Sequence, residues 1–453
     1  MGKTANANDF PAAEGGRSGL ELSSLLYGTD PHGAFRRRFD SLALGMSPEA
    51  GFPAEFAAGD ENIRFFSSPG RTELCGNHTD HNRGMVLAAS VHLDMAASVV
   101  PRGDRRIFLR SAGFEDTLVN LADGDEIPGL SPRPDEAGTT AALVRGIAAC
   151  FAARGADVGG FSANVVSDVP QGSGLSSSAA LEVLVARIFD SLYCPGRFPP
   201  IELAKIGREA ENVFFGKPCG LMDQAACSVG GAVSIDFADP AEPAVGKIAF
   251  DPLSWGLALC VVDSGGSHAN LTPEYAAIPR EMGDVARFFG KNFLSEVGLS
   301  QLMSSIGELR QAAGDRAVLR AIHFFNENRR VAQMSALLTE AGSDSAETTA
   351  DRFLDLVNES GASSWELLQN MYAAANPREQ GLSLALAASR EFFREEGLKA
   401  ACRVHGGGFA GTVQAYVPLA ALDGYRSRME ALFGVGSLTV LRVRPVGAVE
   451  LTF

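Results

Sequence analysis

The sequence predicts an α+β protein of two domains, and three observations carry that expectation. The chain has 453 residues, whereas single domains usually hold about 100–200. Strand-like alternation and helix-like spacing follow one another through the first half, while residues 277–400 read mostly as helix. A composition of 46% hydrophobic and 21% charged residues is that of an ordinary globular protein with ample core. The boundary is expected near Asp239–Asp251. That gives a flexible lead-in over 1–20, a first domain over 21–240 and a second over 241–453.

Residues 1–20 are small and polar, hence the expected flexibility. Pro31 to Leu44 carries Phe35, Phe39 and Leu42 at helical spacing, with Arg36-Arg37-Arg38 as a solvated face. Ile63 to Phe66 is strand-like. The run from Ser67 to Gly84 is dense in Gly, Arg, His, Asp and Asn. It reads as a buried or half-buried loop whose polar groups need partners, which a polyhydroxylated ligand would supply. Met85 to Val100 reads as a strand, with His92 in a structural place. Pro101 to Leu121 reads as a hairpin turning at Arg102-Gly103-Asp104. Gly124 to Ala137 reads as loop, and Thr139 to Ala152 as helix.

The next stretch is the most informative. Phe161 to Val166 alternates as a strand, and Ala180, Leu181, Leu184, Ile188 and Leu192 make a helix from about Ser177. Between them stand Gly172, Ser173, Gly174, Leu175, Ser176, Ser177 and Ser178. A Gly-rich turn that feeds a helix aims unpaired N–H groups and the positive end of a dipole at one spot, which suits a phosphate. No lysine follows the glycines, so this is not the G-x-x-x-x-G-K-[ST] loop. Ser177 stands where a dinucleotide fold needs its third glycine. A serine hydroxyl here can reach a Mg²⁺ shared with a nucleotide.

Ile201 to Phe215 reads as helix, with Glu211 on it. A turn through Gly216-Lys217-Pro218-Cys219-Gly220 then delivers Asp223, held rigidly as a base must be. Gly231 to Phe237 and Leu257 to Asp263 read as strands, and Tyr275 follows the end of the second. Arg403 to Val413 (RVHGGGFAGTV) lies between helix and strand, and its glycines allow a close backbone approach.

Composition excludes some classes. Lys plus Arg number 39 and Asp plus Glu 54, a net charge of −15 that argues against nucleic acid as a partner. The seven cysteines are scattered and none forms C-x-x-C, so neither a metal framework nor a disulfide scaffold is expected. No stretch reaches the ~18 apolar residues of a membrane span. A cytoplasmic protein with reduced thiols is expected.

VPQGSGLSSSAALEV resembles the central motif of the GHMP kinase superfamily, and most of all that of the galactokinases. Ser67 to Gly84 resembles their first motif, P-G-R-x-N-x-I-G-E-H-T-D-Y, with Pro69, Gly70, Arg71, Gly76, His78, Thr79 and Asp80 in register. ENVFFGKPCGLMDQ is similar to E-x-x-F-x-G-x-P-C-G-I-M-D-Q. RVHGGGFAGTV is similar to G-G-G-F-G-G-C, with Ala410 and Thr412 as departures. The resemblance implies an N-terminal ribosomal-S5-domain-2-like domain, a C-terminal ferredoxin-like α/β domain and an active site between them. It implies ATP-dependent phosphorylation of the anomeric hydroxyl of galactose. Asp223 would be the base and Arg71 the catalytic arginine. Arg71, Asn77, His78, Asp80, Gly220, Asp223 and Tyr275 would hold the sugar. Gly172 to Ser178 would hold ATP, and Ser178 and Glu211 would hold Mg²⁺. The implied partners are ATP and a small sugar, with no nucleic acid and no membrane, in a monomer or weak homo-oligomer.

Three departures bear on the substrate. Asn77 stands where galactokinases carry a sugar-binding Glu, His81 where they carry Tyr, and Thr72-Glu73 where they carry Val-Asn. An uncharged amide tolerates a carboxylate that Glu would repel. Galacturonate is therefore a second candidate substrate, alongside other sugars of GHMP kinases. A galactokinase-like sensor without catalysis is the alternative from another class.

Overall fold

The computed structural model of the chain describes residues 34–58, 63–122, 130–266, 271–340 and 345–451. The lead-in expected over 1–20 lies outside them. Two sheets organise the described residues. The first takes β1 (Arg64–Cys75), β2 (Met85–Arg102), β3 (Arg106–Ser111), β4 (Thr117–Asn120), β5 (Gly160–Ser167), β6 (Ala232–Asp236) and β7 (Ala244–Ile248). The second takes β8 (Leu257–Asp263), β9 (Ala401–Val404), β10 (Thr412–Pro418) and β11 (Leu438–Leu441), in the order β11-β8-β10-β9. A last strand, β12 (Val449–Leu451), returns to the first sheet, whose order is β12-β1-β2-β5-β3-β4, with β6 and β7 branching from β2. The first sheet thus draws two strands from beyond residue 241.

The branching follows from length. β2 runs for 18 residues and is apolar along most of them. Its first part pairs with β6 (Met85 opposite Asp236) and its second with β5 (Met95 opposite Ser167). Helices α1 (Ala34–Leu44), α2 (Thr140–Ala153), α3 (Ser177–Tyr193), α4 (Pro200–Ala210) and α5 (Met222–Val229) come from the first half of the chain. Ile147, Phe151, Leu184, Phe189 and Leu203 of α2, α3 and α4 share one core with Phe66, Val99, Ile107 and Phe161 of the sheet. A second core joins the two sheets, where Leu74 and Leu87 meet Leu259, Val261, Met334 and Phe353. Burying such side chains contributes roughly 1.5–3 kcal/mol each, and here that burial fixes how the sheets face each other.

Three local expectations are corrected. Pro69 to Cys75 is not loop but the inner half of β1, with every residue from Phe66 to Cys75 buried. The polar side chains there hid a strand that is covered on both sides. Pro101 to Leu121 is not a hairpin with β2, because β5 lies between β2 and β3; the hairpin is β3 with β4. The helix expected over 201–215 is present, as α4 to Ala210 continued by a wider π-helical turn over Glu211–Phe215. Asp223 sits not in a turn but in the first turn of α5. The thiol expectation holds in part, since all seven cysteines are free of disulfides.

Candidate active site

The site starts with a contact between β1 and the Gly-rich turn. The register of β1 against β2 shifts between Pro69 and Arg71 and again between Glu73 and Cys75; such bulges re-aim side chains. A Cβ on Gly70 would stand 2.8 Å from the Leu175 carbonyl, so glycine is what lets the strand touch the turn. The Arg71 N–H then donates to that carbonyl at 3.0 Å.

Arg71 meets Asp223 in a fork: Nε donates to Oδ1 and Nη2 to Oδ2, both at 2.7 Å. Its Nη1 donates to the Gly174 carbonyl. The Ser176 hydroxyl donates to Asp223 Oδ2 at 2.5 Å. Ser176 takes a left-handed backbone (φ 56°) just before α3 and makes no cap bond to its own helix. Its hydroxyl is spent on Asp223, while the first N–H groups of α3 stay available to a ligand. Burial opposes ionisation of Asp223, yet Arg71, Ser176 and Lys217 together hold its carboxyl below the ordinary value. The Asp223 side chain keeps 32% exposure, against 7% for Arg71, so the carboxylate is the member of the pair that a ligand can reach.

Two clefts lie near this pair, and Lys217 lines both. The smaller, about 640 Å³, is lined by Arg71, Asn77, His78, Asp80, Gly220, Asp223 and Tyr275 among others. All seven residues expected to hold the sugar therefore line one space. The larger, about 1080 Å³, has Gln171, Ser177 and Ser178 on one wall and Glu211 and Lys217 on another. Not every residue of the turn faces it. Leu175 is 1% exposed and packs into the core, and the Ser173 hydroxyl is spent on the Pro170 carbonyl.

The corner around Asn77 differs from the expectation of a free amide. Asn77 is 1% exposed. Its Nδ2 donates to both Glu73 oxygens, at 3.1 and 3.2 Å, and to the Gly406 carbonyl at 2.7 Å. Its Oδ1 accepts from Asn370. Glu73 in turn is paired with Arg403, which also donates to the Leu74 carbonyl at 2.7 Å. Relative to the usual galactokinase motif, the acid and the amide have changed places between 73 and 77. The corner keeps one carboxylate, set one layer deeper.

The RVHGGGFAGTV stretch folds over the same corner. His78 Nε2 donates to the Gly407 carbonyl at 2.9 Å, and the Tyr275 hydroxyl to that of Gly408 at 2.9 Å. Burial pushes His78 down to about 4, which keeps it neutral. His405 bridges the hydroxyls of Thr72 and Thr412 at 3.0 and 2.9 Å. Burial, with Arg71 and Arg403 nearby, pushes it down to about 3.

Two features escaped the sequence reading. The wide turn at Glu211–Phe215 brings Lys217 back onto Glu211: its N–H donates to the Glu211 carbonyl at 3.1 Å and its Nζ to Oε1 at 3.0 Å. Gln224 joins Glu211 Oε2 to Glu182 Oε2 at 3.1 and 2.9 Å. Burial and the neighbouring Glu211 hold Glu182 well above the ordinary carboxyl range. A lysine inside ENVFFGKPCGLMDQ was the only signal available for the first.

A Gly-rich turn opening a helix beside an Arg–Asp pair, with two clefts that share Lys217, fits a small-molecule kinase. Residues 142–231 match the model of the GHMP kinases N terminal domain, and residues 50–101 the galactokinase galactose-binding signature. Galactokinase from Streptomyces coelicolor is 30% identical over 389 residues, covering 85% of this chain and 92% of that protein. Galactokinase from Bos taurus is 36% identical over 318 residues, 66% of this chain and 75% of that protein. The fold matches Lactococcus lactis galactokinase, solved with galactose, at a TM-score of 0.73 and 22% identity over 91% of this chain and 99% of that one. It matches Methanococcus jannaschii mevalonate kinase at 0.57 and 12% identity over 85% and 99%. The chain belongs to the galactokinase family, and it is an ATP-dependent sugar kinase.

Proposed function

We propose that the protein transfers the γ-phosphoryl group of ATP to the anomeric hydroxyl of galactose. The observation that carries this reading is the acceptor cleft beside the Gly-rich turn. There Asp223, forked by Arg71 and bonded to Ser176, faces the space lined by His78, Asp80 and Tyr275. Phosphoryl transfer relies on positioning and charge neutralisation more than on covalent chemistry. Asp223 accepts or orients the proton of the C1 hydroxyl. Arg71 keeps Asp223 ionised and faces the charge that builds in the transition state. The backbone N–H groups at the start of α3 and the hydroxyls of Ser177 and Ser178 hold the triphosphate.

The kinase class implies Mg²⁺. Ser178 and Glu211 line the same cleft and offer hard oxygen ligands. The Oε1 of nearby Glu182 is buried without a hydrogen-bond partner, and its Oε2 shares Gln224 with Glu211. These residues fit the ion, and Ser178 and Glu211 would hold it. When bound, it neutralises charge on the β- and γ-phosphates.

Galactose is favoured over galacturonate. The Asn77 amide is already committed, and the Glu73 carboxylate lies directly behind it. A sugar carboxylate at that corner would meet a like charge. Among the described residues no helix is long and apolar enough to cross a membrane, in keeping with a cytoplasmic sugar kinase. The test is ADP release over a panel of galactose, N-acetylgalactosamine, galacturonate and glucose, with the phosphorylated position read by NMR. Galactose should lead, with phosphate on C1. A chain that binds galactose and ATP but releases no ADP is a sensor, and preference for galacturonate overturns the assignment of the Asn77 corner.

A further inference from the structure

The proposed donor cleft is poor in positive charge. Among the described residues its wall holds one basic side chain, Lys217. Lys217 also lines the smaller cleft, and no other described residue is common to both linings. It therefore stands at the crossing point between donor and acceptor. The Gly-rich turn offers N–H groups there but no cation.

Arg71 lines only the smaller cleft. Three of its donor nitrogens are engaged, two by Asp223 and one by the Gly174 carbonyl, and its side chain is 7% exposed. Lys217 is placed differently. Its ammonium holds one partner, Glu211 Oε1 at 3.0 Å, and its side chain is 60% exposed. An ammonium on a flexible stem has three donors and can turn to a new acceptor without disturbing the backbone. The backbone beneath it is fixed, because Gly216 and Lys217 both donate to the Glu211 carbonyl, at 3.0 and 3.1 Å.

We propose that Lys217 is a catalytic residue that leaves Glu211 to bind the γ-phosphoryl oxygens as the group crosses from ATP to the sugar. The inference rests on the kinase reading above. In the step, the C1 oxygen forms a bond to the γ-phosphorus as the bond from that phosphorus to the β,γ-bridging oxygen breaks. ADP leaves with that electron pair, and the sugar proton goes to Asp223. Lys217 keeps its own proton throughout and neutralises charge on the transferred group.

The experiment compares wild type with Lys217→Met and Lys217→Arg. Calorimetry measures binding of ADP and of the β,γ-imido analogue of ATP, and a coupled assay measures turnover with galactose. Lys217→Met should lose affinity for the imido analogue at least tenfold more than for ADP. Its kcat should fall about 10²–10³-fold, as when one transition-state donor is removed, with galactose KM within about threefold. Lys217→Arg should recover at least tenfold of that kcat loss. A lysine that only clamps Glu211 would lower the melting temperature and weaken both nucleotides alike, which overturns the proposal. So does a Lys217→Met enzyme within about threefold of wild-type kcat. A wild type that releases no ADP with any sugar removes the kinase reading itself, an outcome separate from a fast Lys217→Met.

Discussion

Replacing Asn77 by glutamate sets a second carboxylate against Glu73. The amide now donates to both Glu73 oxygens at 3.1 and 3.2 Å. Two carboxylates about 3 Å apart, at an effective dielectric constant of about 20, repel by about 5–6 kcal/mol. Protonating one of them is cheaper. At pH 7, neutralising a carboxyl of ordinary pKa of about 4.3 costs about 3.7 kcal/mol. Burial already holds Glu73 above its ordinary value, against the pull of Arg403 and Asn77, so the proton goes on more readily there. The expected loss is about 3 kcal/mol at pH 7. The folded variant then carries one more proton than its unfolded chain, so its deficit shrinks as pH falls, by about 2–3 kcal/mol between pH 7 and pH 5. Glu73→Asn alone strands Arg403, which is fully buried, at about 3–5 kcal/mol. The double variant Glu73→Asn/Asn77→Glu restores the usual galactokinase order of amide and acid, and should be more stable than Asn77→Glu. Urea unfolding at the two pH values, over the full double-mutant cycle, reads these terms. An Asn77→Glu protein within about 1 kcal/mol of wild type at pH 7, or with a deficit that does not change with pH, refutes the reasoning.

Asp223→Asn should keep nucleotide affinity and lose about 10²–10⁴ in sugar-dependent ADP release; near-normal turnover removes Asp223 from the mechanism. A Cβ on Gly220 would stand 1.8 Å from Asp80 Oδ2. Gly220→Ala should therefore displace Asp80 and raise galactose KM at least tenfold, and an unchanged KM would separate Asp80 from the sugar. His405, held near 3 when folded, accepts a proton near 6.5 once unfolded. Stability should thus fall with pH below about 6.5, by about 1.4 kcal/mol per unit for this residue. His405→Gln should flatten the slope by that amount in unfolding experiments between pH 6.5 and 4, and an unchanged slope would mean His405 is charged in the fold.

Local patterns in the sequence carried far. The strand and helix around the Gly-rich turn are present as Gly160–Ser167 and Ser177–Tyr193, because apolar periodicity there is clean. The convergence of Arg71, Asp223 and the turn was legible through the three motifs. What stayed hidden depends on distant partners. Glu73 and Arg403 lie 330 positions apart, and nothing near either residue announces the pair. Pro69 to Cys75 looks like loop because its polar residues find buried partners elsewhere in the fold. The false hairpin at Arg102-Gly103-Asp104 had the right turn residues, but β5, sixty residues later, takes the place beside β2. The Asn77 amide, an expected sugar contact, also bonds Glu73, Gly406 and Asn370, partners that no local pattern announces.

β12 has a consequence for biosynthesis. It pairs Val449 to Leu451 with Ser67 to Phe65, and Glu450 grips Arg64 across 386 positions of sequence. At a translation rate of about 5–20 residues per second, the outer border of β1 waits roughly 20–80 s on the ribosome for its neighbour. Exposed borders of that kind recruit other chains. The strand that presents Arg71 is thus among the earliest segments synthesised and among the last to be sealed, and a nascent chain stalled before Val449 would be a natural client for a chaperone.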